Sequence, residues 1–324
     1  RGLGDVYKRQ MLAAALASCG KTEADKPETE ISEQPQAGRT EIKVMSSNVR
    51  NGSEDSGIKL WSYRKNAYLS MLSDIQPDII GLQEAKKHTL KDLAVATEYE
   101  IYNVYEYDGS NPTVVNDHLP LNAIMFRKSL FERLDAGVFY YNEEDHLKPV
   151  HYPCGASGWQ VRGCVWVKLK VKATGRTVYF FDTHYTHDPE IMDADGNKIF
   201  NIEPRRKASE ILVGEIEAKV KGENAAVFVT GDLNCARSDG ATRNGPRSLG
   251  PLVEYMWSAR EDAKYYDGAI SFNGFDPDYD KASGNIDHIF YRGAEAQEFI
   301  TVNGHDYGVY FISDHYPVTC TFIL

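Results

Sequence analysis

Long apolar runs are absent from this sequence. No stretch approaches the ~20 apolar residues of a membrane-spanning helix, so no segment reads as a span. Positive charge is in deficit: 36 Lys and Arg stand against 47 Asp and Glu, a net charge of −11. That balance argues against a broad basic surface for gripping nucleic acid. It leaves an anionic substrate open, because a bound cation reverses the field inside a site. Cysteine is scarce, with only Cys19, Cys154, Cys164, Cys235 and Cys320. Cys154 and Cys164 are near enough for a small loop in an oxidising compartment, but separate buried thiols are the expectation. No internal repeat is present, and biased composition is confined to one N-terminal segment. Core material is present in ordinary amount: 42% of residues are hydrophobic, enough for a full globular core.

The N-terminus divides into three pieces. Residues 1–10 have no initiator methionine and no apolar run, and read as non-native translated sequence outside the fold. Residues 11–19 are a short Ala-rich stretch ending in Leu16-Ala17-Ser18-Cys19, which resembles a bacterial lipobox. The expectation is a truncated signal peptide, with Cys19 as the lipidated anchor of an exported protein in the periplasm or at the cell surface. Residues 20–39 are rich in Glu, Lys, Pro and Gln. Such a segment buries too little apolar surface to fold, so it reads as a disordered tether. Residues 40–324 contain no second linker and are expected to form one domain, a monomer.

Apolar runs bounded by turn residues predict strands over Glu41–Asn48, Asp78–Gln83, Leu121–Arg127, Leu130–Phe139, Val161–Val171, Thr177–His184 and Ala225–Gly231, with three more towards the C-terminus. Two stretches carry helical spacing instead. Trp61, Tyr68, Leu72 and Ile75 share one face; Ala208, Ile211, Leu212 and Ile216 share another, in a helix opened by Pro204. Strands outnumber helices too heavily for a doubly wound parallel sheet. The pattern predicts an α/β sandwich of two packed sheets with helices outside.

Polar residues recur where these strands end. The ends are Ser47-Asn48, Gln83-Glu84, Thr183-His184 and Gly231-Asp232-Leu233-Asn234, with Ile286-Asp287-His288 and Ser313-Asp314-His315 near later strands. If the ends converge on one edge, the site holds Asn48, Glu84, His184, Asp232, Asn234, Asp287, Asp314 and His315. Glu84 and Asp314 are hard oxygen donors and Asn48 adds a carbonyl, a set suited to magnesium rather than zinc. Asp232 and Asn234 are spaced to share one face of a strand. His315 can accept a proton from water if its other ring nitrogen donates to a carboxylate; Asp287 is the natural partner, which leaves Asp314 for the metal. His184 can donate to a phosphoryl oxygen as charge develops. Taken singly, each piece has a bland reading as a loop or a solvated edge charge. The ordered set is what carries weight.

As that ordered set, Ser46-Ser47-Asn48-Val49-Arg50, Gly81-Leu82-Gln83-Glu84, Thr183-His184, Gly231-Asp232-Leu233-Asn234, Ile286-Asp287-His288-Ile289-Phe290 and Ser313-Asp314-His315-Tyr316-Pro317 resemble the endonuclease/exonuclease/phosphatase superfamily, which includes DNase I. The resemblance implies a four-layer sandwich of two mainly antiparallel sheets flanked by helices, Mg²⁺ or Mn²⁺, and in-line attack of water on phosphorus. It implies that His315 acts with Asp287, that Asn48, Glu84 and Asp314 lie near the metal, and that Asp232 and Asn234 position water, phosphate or a second metal. Whether Asp232 or His315 takes the proton stays open. The chain departs from the usual pattern at Asp182, where the family often has Asn, and at His288, where it often has Tyr; His288 is expected to be a packing residue.

Substrate identity is less legible. Lys281-Ala-Ser-Gly-Asn285 stands where inositol 5-phosphatases usually carry a Trp-Cys-Asp-Arg stretch, which disfavours that branch. Arg50, Arg162 and His187, with Arg205 and Arg206, are candidates for substrate contact. The loops Tyr105–Leu119 and Tyr141–Trp159 can shape a pocket. Nucleic acid, a nucleotide, a sugar phosphate and a phospholipid headgroup all fit as the phosphate ester. An inactive ligand-binding lipoprotein on the same fold, and a carbohydrate-binding lipoprotein, are the competing readings.

Overall fold

Two-residue alternation along the apolar strands builds the architecture. The computed structural model describes residues 40–50, 52, 55–103, 122–153, 159–187, 190–192, 198–200, 202–236, 248–279 and 284–324. The residue 1–10 segment, the Cys19 anchor, the tether, Cys154 and the loop Tyr105–Leu119 lie outside the described residues. In chain order the strands are β1 (Glu41–Asn48), β2 (Ile79–Gln83), β3 (Tyr99–Asn103), β4 (Ala123–Arg127), β5 (Phe131–Tyr140), β6 (His151–Pro153), β7 (Trp159–Val161), β8 (Gly163–Val171), β9 (Thr177–His184), β10 (Glu190–Met192), β11 (Lys198–Phe200), β12 (Ala225–Asp232), β13 (Trp257–Ser258), β14 (Tyr265–Tyr266), β15 (Asp287–Arg292), β16 (Glu295–Thr301) and β17 (Val318–Ile323). Seven form one sheet in the order β14-β16-β17-β1-β2-β4-β3, and six form a second in the order β13-β15-β12-β9-β8-β5. Residues Gly38–Leu324 make one compact unit.

Each sheet is built around a central parallel pair, β1/β2 in the first and β9/β12 in the second, with antiparallel neighbours on both sides; the short edge strand β14 adds a second parallel pairing, with β16. The two sheets face each other across a shared core of Ile42, Val44, Ile79, Phe126, Val167, Phe180, Phe228 and Phe322. The residues between these on each strand point outwards and are covered by helices. Met45, Ile80 and Leu82 pack under the helix Trp61–Ile75. Tyr179, Phe181, Val227 and Val229 pack under the helix Glu203–Val220. The result is the four-layer α/β sandwich expected from the sequence.

Boundaries agree closely where punctuation is strong. β1 and β9 match their predicted spans to the residue. The first helix ends at Ile75 and is capped by Gln76, in the left-handed region at φ 50°, immediately before Pro77. Its predicted apolar face is buried at Trp61, Tyr68 and Leu72, whereas Ile75 is only partly covered. The second helix carries Pro204 in its first turn, where no amide donor is needed. One predicted strand is interrupted: β7 ends at Val161 and β8 begins at Gly163. A side chain at Gly163 would lie 2.4 Å from the Phe139 carbonyl oxygen, so only glycine permits this approach. Cys164, Cys235 and Cys320 are separate buried thiols.

Candidate active site

The inner faces of the central strands change character along their length. β1 runs Ile42, Val44, Ser46, Asn48; β9 runs Val178, Phe180, Asp182, His184; β12 runs Ala226, Phe228, Thr230, Asp232. Period two therefore places an apolar core, a polar layer and a site in succession on the same faces. Register keeps the layers level: Asp182 lies opposite Thr230, His184 opposite Asp232, and Asp232 opposite Asp287 of β15.

In the polar layer, Asp182 accepts hydrogen bonds from Gln83 Nε2 (2.6 Å), Asn122 Nδ2 (2.7 Å) and Thr230 Oγ1 (2.7 Å). Gln83 belongs to the other sheet, so this carboxylate ties the two sheets together below the site. A side chain at Gly81 would lie about 2 Å from both Asp182 and Thr230, which is why β2 carries glycine there. Burial pushes the Asp182 carboxyl up to about 7 despite its three donors.

Above this layer the site closes around Asp232. Its Oδ2 accepts from Asn48 Nδ2 at 3.0 Å and lies 3.3 Å from His184 Nε2 and 3.6 Å from His315 Nε2. The other ring nitrogen of His315, Nδ1, donates to Asp287 Oδ2 at 2.8 Å. Asn48 Nδ2 also reaches Glu84 Oε1 at 3.1 Å. Asn234 lies past the end of β12. At φ 53° it turns back, its amide N–H donates to Asp232 Oδ1 at 2.9 Å, and its Nδ2 sits 2.9 Å from His184 Nε2. Asp232 and Asn234 thus converge through a left-handed turn, not through shared strand alternation as the spacing suggested. Arg50 at φ 50° and Glu84 at φ 57° occupy the same sparsely populated region just beyond β1 and β2. Three such non-glycine residues at three neighbouring strand ends mark a site whose geometry outranks backbone comfort.

Electrostatics separates the two histidines. Burial would lower His315, but the carboxylates of Asp287 and Asp232 outweigh it and hold the ring well above the ordinary histidine value. Burial, with Arg162 and His315 nearby, drives His184 well below it. Burial also raises Asp232 and Asp314, against the pull of His315 on both. One imidazolium and one neutral imidazole therefore flank a single carboxylate, an arrangement able to move a proton at one point and offer a neutral polar contact at the other.

Asp232, Asp287 and His315 bring one potential ligand atom each within 4.8 Å of one another. Asp287 and His315 are already hydrogen-bonded to each other, with Asp232 in ion-pair range of the same ring, so the triad reads as a charge-paired cluster and not a metal cage. Hard oxygen donors suited to a divalent cation are on the other side, at Glu84 and Asp314. Arg50 Nη1 lies 3.1 Å from Asp314 Oδ2, a cationic stand-in on that carboxylate. The residues there fit a hard divalent cation, with Asn48 holding Glu84 in place.

The remaining candidates separate. Arg50 is half-buried between Asp55 and Asp314. Arg162 is buried at the site edge, and His187 is half-buried and among the charges acting on His184. Arg205 donates to the Thr186 carbonyl at 2.9 Å, while Arg206 pairs with Glu203 and Glu210 on the surface. His288 packs on Phe290 and lies 2.8 Å from the Cys235 carbonyl, away from the site.

The family model described as the endonuclease/exonuclease/phosphatase family matches residues 45–315, from the end of β1 to His315. The chain belongs to that family. Its fold is that of a hydrolase family acting on phosphate esters. Among solved structures, an endonuclease/exonuclease/phosphatase family protein from Bacteroides thetaiotaomicron shares 25% identity at a TM-score of 0.70, over 88% of this chain and 98% of that one. A mannosyl-6-phosphatase from Bacteroides thetaiotaomicron VPI-5482 shares 25% identity at 0.69, over 87% and 100%. TDP2 from D. rerio, complexed with single-strand DNA product, shares the fold at 18% identity and 0.60, over 87% and 99%. Among curated proteins none matches the chain.

Two residues of this family member escaped the sequence reading. In the sequence Asp182 stands out only as a departure from the family pattern, although its period-two position below His184 marks it as inward-facing. Arg64 lies in the first helix and is completely buried. Its guanidinium donates to the carbonyls of Val49 (3.0 Å), Arg50 (3.0 Å), Lys59 (3.0 Å) and Ile312 (2.5 Å). It thereby joins the segment after Asn48 to the segment before Asp314. Its spacing from Trp61 and Tyr68 on the buried face was the available signal.

Proposed function

We propose that the protein hydrolyses a phosphate ester with Mg²⁺ or Mn²⁺ bound at Glu84 and Asp314, beside Asn48. The observation that carries this reading is the Asp287–His315 hydrogen bond beside the Asp232 carboxylate, set against hard oxygen donors across Asn48. The cation, when bound, neutralises charge on the phosphoryl oxygens and polarises phosphorus. Asp287 orients His315 and stabilises its charged form. With His315 already charged, Asp232 Oδ2, 3.6 Å from His315 Nε2, is the group free to take the proton of the attacking water. His184, kept neutral and held by Asn234, contacts a non-bridging oxygen. The water oxygen–phosphorus bond forms, the ester phosphorus–oxygen bond breaks, and the leaving oxygen takes up a proton as an alcohol.

Hydrolysis of p-nitrophenyl phosphate and bis-p-nitrophenyl phosphate by residues 40–324, with Mg²⁺, Mn²⁺ or EDTA, tests this. Release that depends on metal is expected; release undiminished by EDTA removes the metal from the reading. Export and anchoring through Cys19 are part of the same proposal and are supported by the Leu16–Cys19 sequence alone.

A further inference from the structure

Buried arginines in this domain have acceptors. Arg64 has four carbonyls and Arg205 has the Thr186 carbonyl, each with its Nε donating. Half-buried Arg260 also leaves its Nε without a partner, but its terminal nitrogens donate to Tyr266 and two carbonyls. Arg162 differs. It is 8% exposed, its Nε is buried with no hydrogen-bond partner, and no carboxylate pairs with it among the described residues.

Its position is defined by the sheet. β8 begins at Gly163 and sets Cys164 opposite Thr183, so Arg162 lies level with the end of β9, where His184 and Tyr185 emerge. The Arg162 carbonyl accepts from the Tyr141 amide at 3.3 Å, which fixes the backbone there. The charge of Arg162 is also, after burial, the leading influence keeping His184 neutral. The site therefore has two electrically distinct sides: carboxylates at Glu84 and Asp314, and, near His184, a guanidinium that no carboxylate among the described residues neutralises.

A buried cation without a counter-ion is expensive unless an anion arrives to meet it. Guanidinium geometry suits phosphate oxygens in particular. A phosphodiester has two non-bridging oxygens and one charge. A phosphomonoester dianion has three non-bridging oxygens and two charges. A metal at Glu84 and Asp314 with a neutral His184 already suffices for the diester; an additional permanent cation matches the additional oxygen and charge.

We propose that Arg162 binds the non-bridging oxygens of a phosphomonoester dianion, which makes the enzyme a monoesterase releasing inorganic phosphate. This rests on the phosphate-ester reading above. The reaction is hydrolysis: water supplies the new oxygen on phosphorus, the ester bond breaks, and alcohol and inorganic phosphate leave without any oxidant or co-reactant.

The test compares the parent protein with Arg162→Gln and Arg162→Lys, each first shown by thermal melting to be folded. kcat/KM is measured on p-nitrophenyl phosphate and on bis-p-nitrophenyl phosphate with Mg²⁺, and inorganic phosphate is titrated calorimetrically at pH 8. The parent is expected to prefer the monoester. Arg162→Gln should lower monoester turnover by about 10²–10³-fold, lower any diester turnover by less than about ten-fold, and weaken phosphate binding; Arg162→Lys should recover part of each loss. Equal losses on both esters, unchanged monoester turnover, or a parent that cleaves only the diester overturn the proposal. Turnover of neither ester by the parent removes the hydrolase reading instead. Arg162 is then judged by the phosphate titration alone: binding lost in Arg162→Gln upholds its role and binding retained overturns it.

Discussion

Replacing Asp182 by Asn probes the polar layer beneath the active site. The unfolded chain binds a proton at an ordinary aspartate with a pKa of about 3.9. In the folded protein burial raises that value to about 7. Between about pH 4 and pH 7 the native state therefore holds more protons at Asp182 than the unfolded state does, so stability falls as pH rises through that window. A shift of about three units corresponds to about 4 kcal/mol. Asn is neutral throughout and removes the slope. Its oxygen can accept from Gln83 and Thr230, as Asp182 Oδ1 does. Its amide nitrogen can donate to Asn122 once that side chain turns over. Scanning calorimetry between pH 5 and 8.5 should show the variant gaining on the parent by about 5 °C towards the alkaline end, since about 3 kcal/mol of the change falls inside that window. Parallel curves for the two proteins would refute the reasoning, because they would mean that Asp182 does not titrate in this window.

Arg64→Met should destabilise by about 2–4 kcal/mol, because the buried Val49 and Ile312 carbonyls lose their donor. Assayed well below its melting temperature, it should raise the half-saturating Mg²⁺ more than it lowers kcat, and a purely structural role would leave that half-saturation point in place. His315→Ala, assayed well below its melting temperature because it leaves Asp287 buried without its partner, should lower kcat by about 10²–10⁴-fold at saturating metal. Glu84→Ala should instead shift the Mg²⁺ requirement at least about ten-fold, and a titration curve unmoved from the parent's would take Glu84 out of the ligand set.

Much of the fold was readable because its strands are apolar runs with clear ends. Strands such as Thr177–His184 announce themselves by Val178, Phe180 and Phe181 and stop at a polar residue. The convergence of Asn48, His184, Asp232, Asp287 and His315 followed from reading those ends together. What escaped depends on contacts distant in sequence or on backbone choices that side-chain type does not reveal. β3 is short and half-exposed, so its alternation is faint. Asn234 reaches His184 only through a left-handed turn. Arg50 is a candidate for substrate contact by residue type, and its partners Asp314 and Asp55, 264 and 5 residues away, are not visible in any local pattern. The Asp182 layer needs donors from both sheets, and no local pattern brings Gln83, Asn122 and Thr230 to one carboxylate.

The hydrogen bond from Asn48 to Asp232 joins residues 184 positions apart, one from each sheet. Neither sheet alone contains both sides of the site. During folding, each parallel pair can form around its own apolar strands while the polar layer and the site above it still lack half their partners. Contacts of this separation carry a loop-closure entropy that must be met before they return any stability. The active site is therefore among the last features to appear as the chain matures, and a partly folded intermediate with native strands has no catalytic constellation. Hydrolytic competence, in this architecture, reports that the two sheets have docked in register.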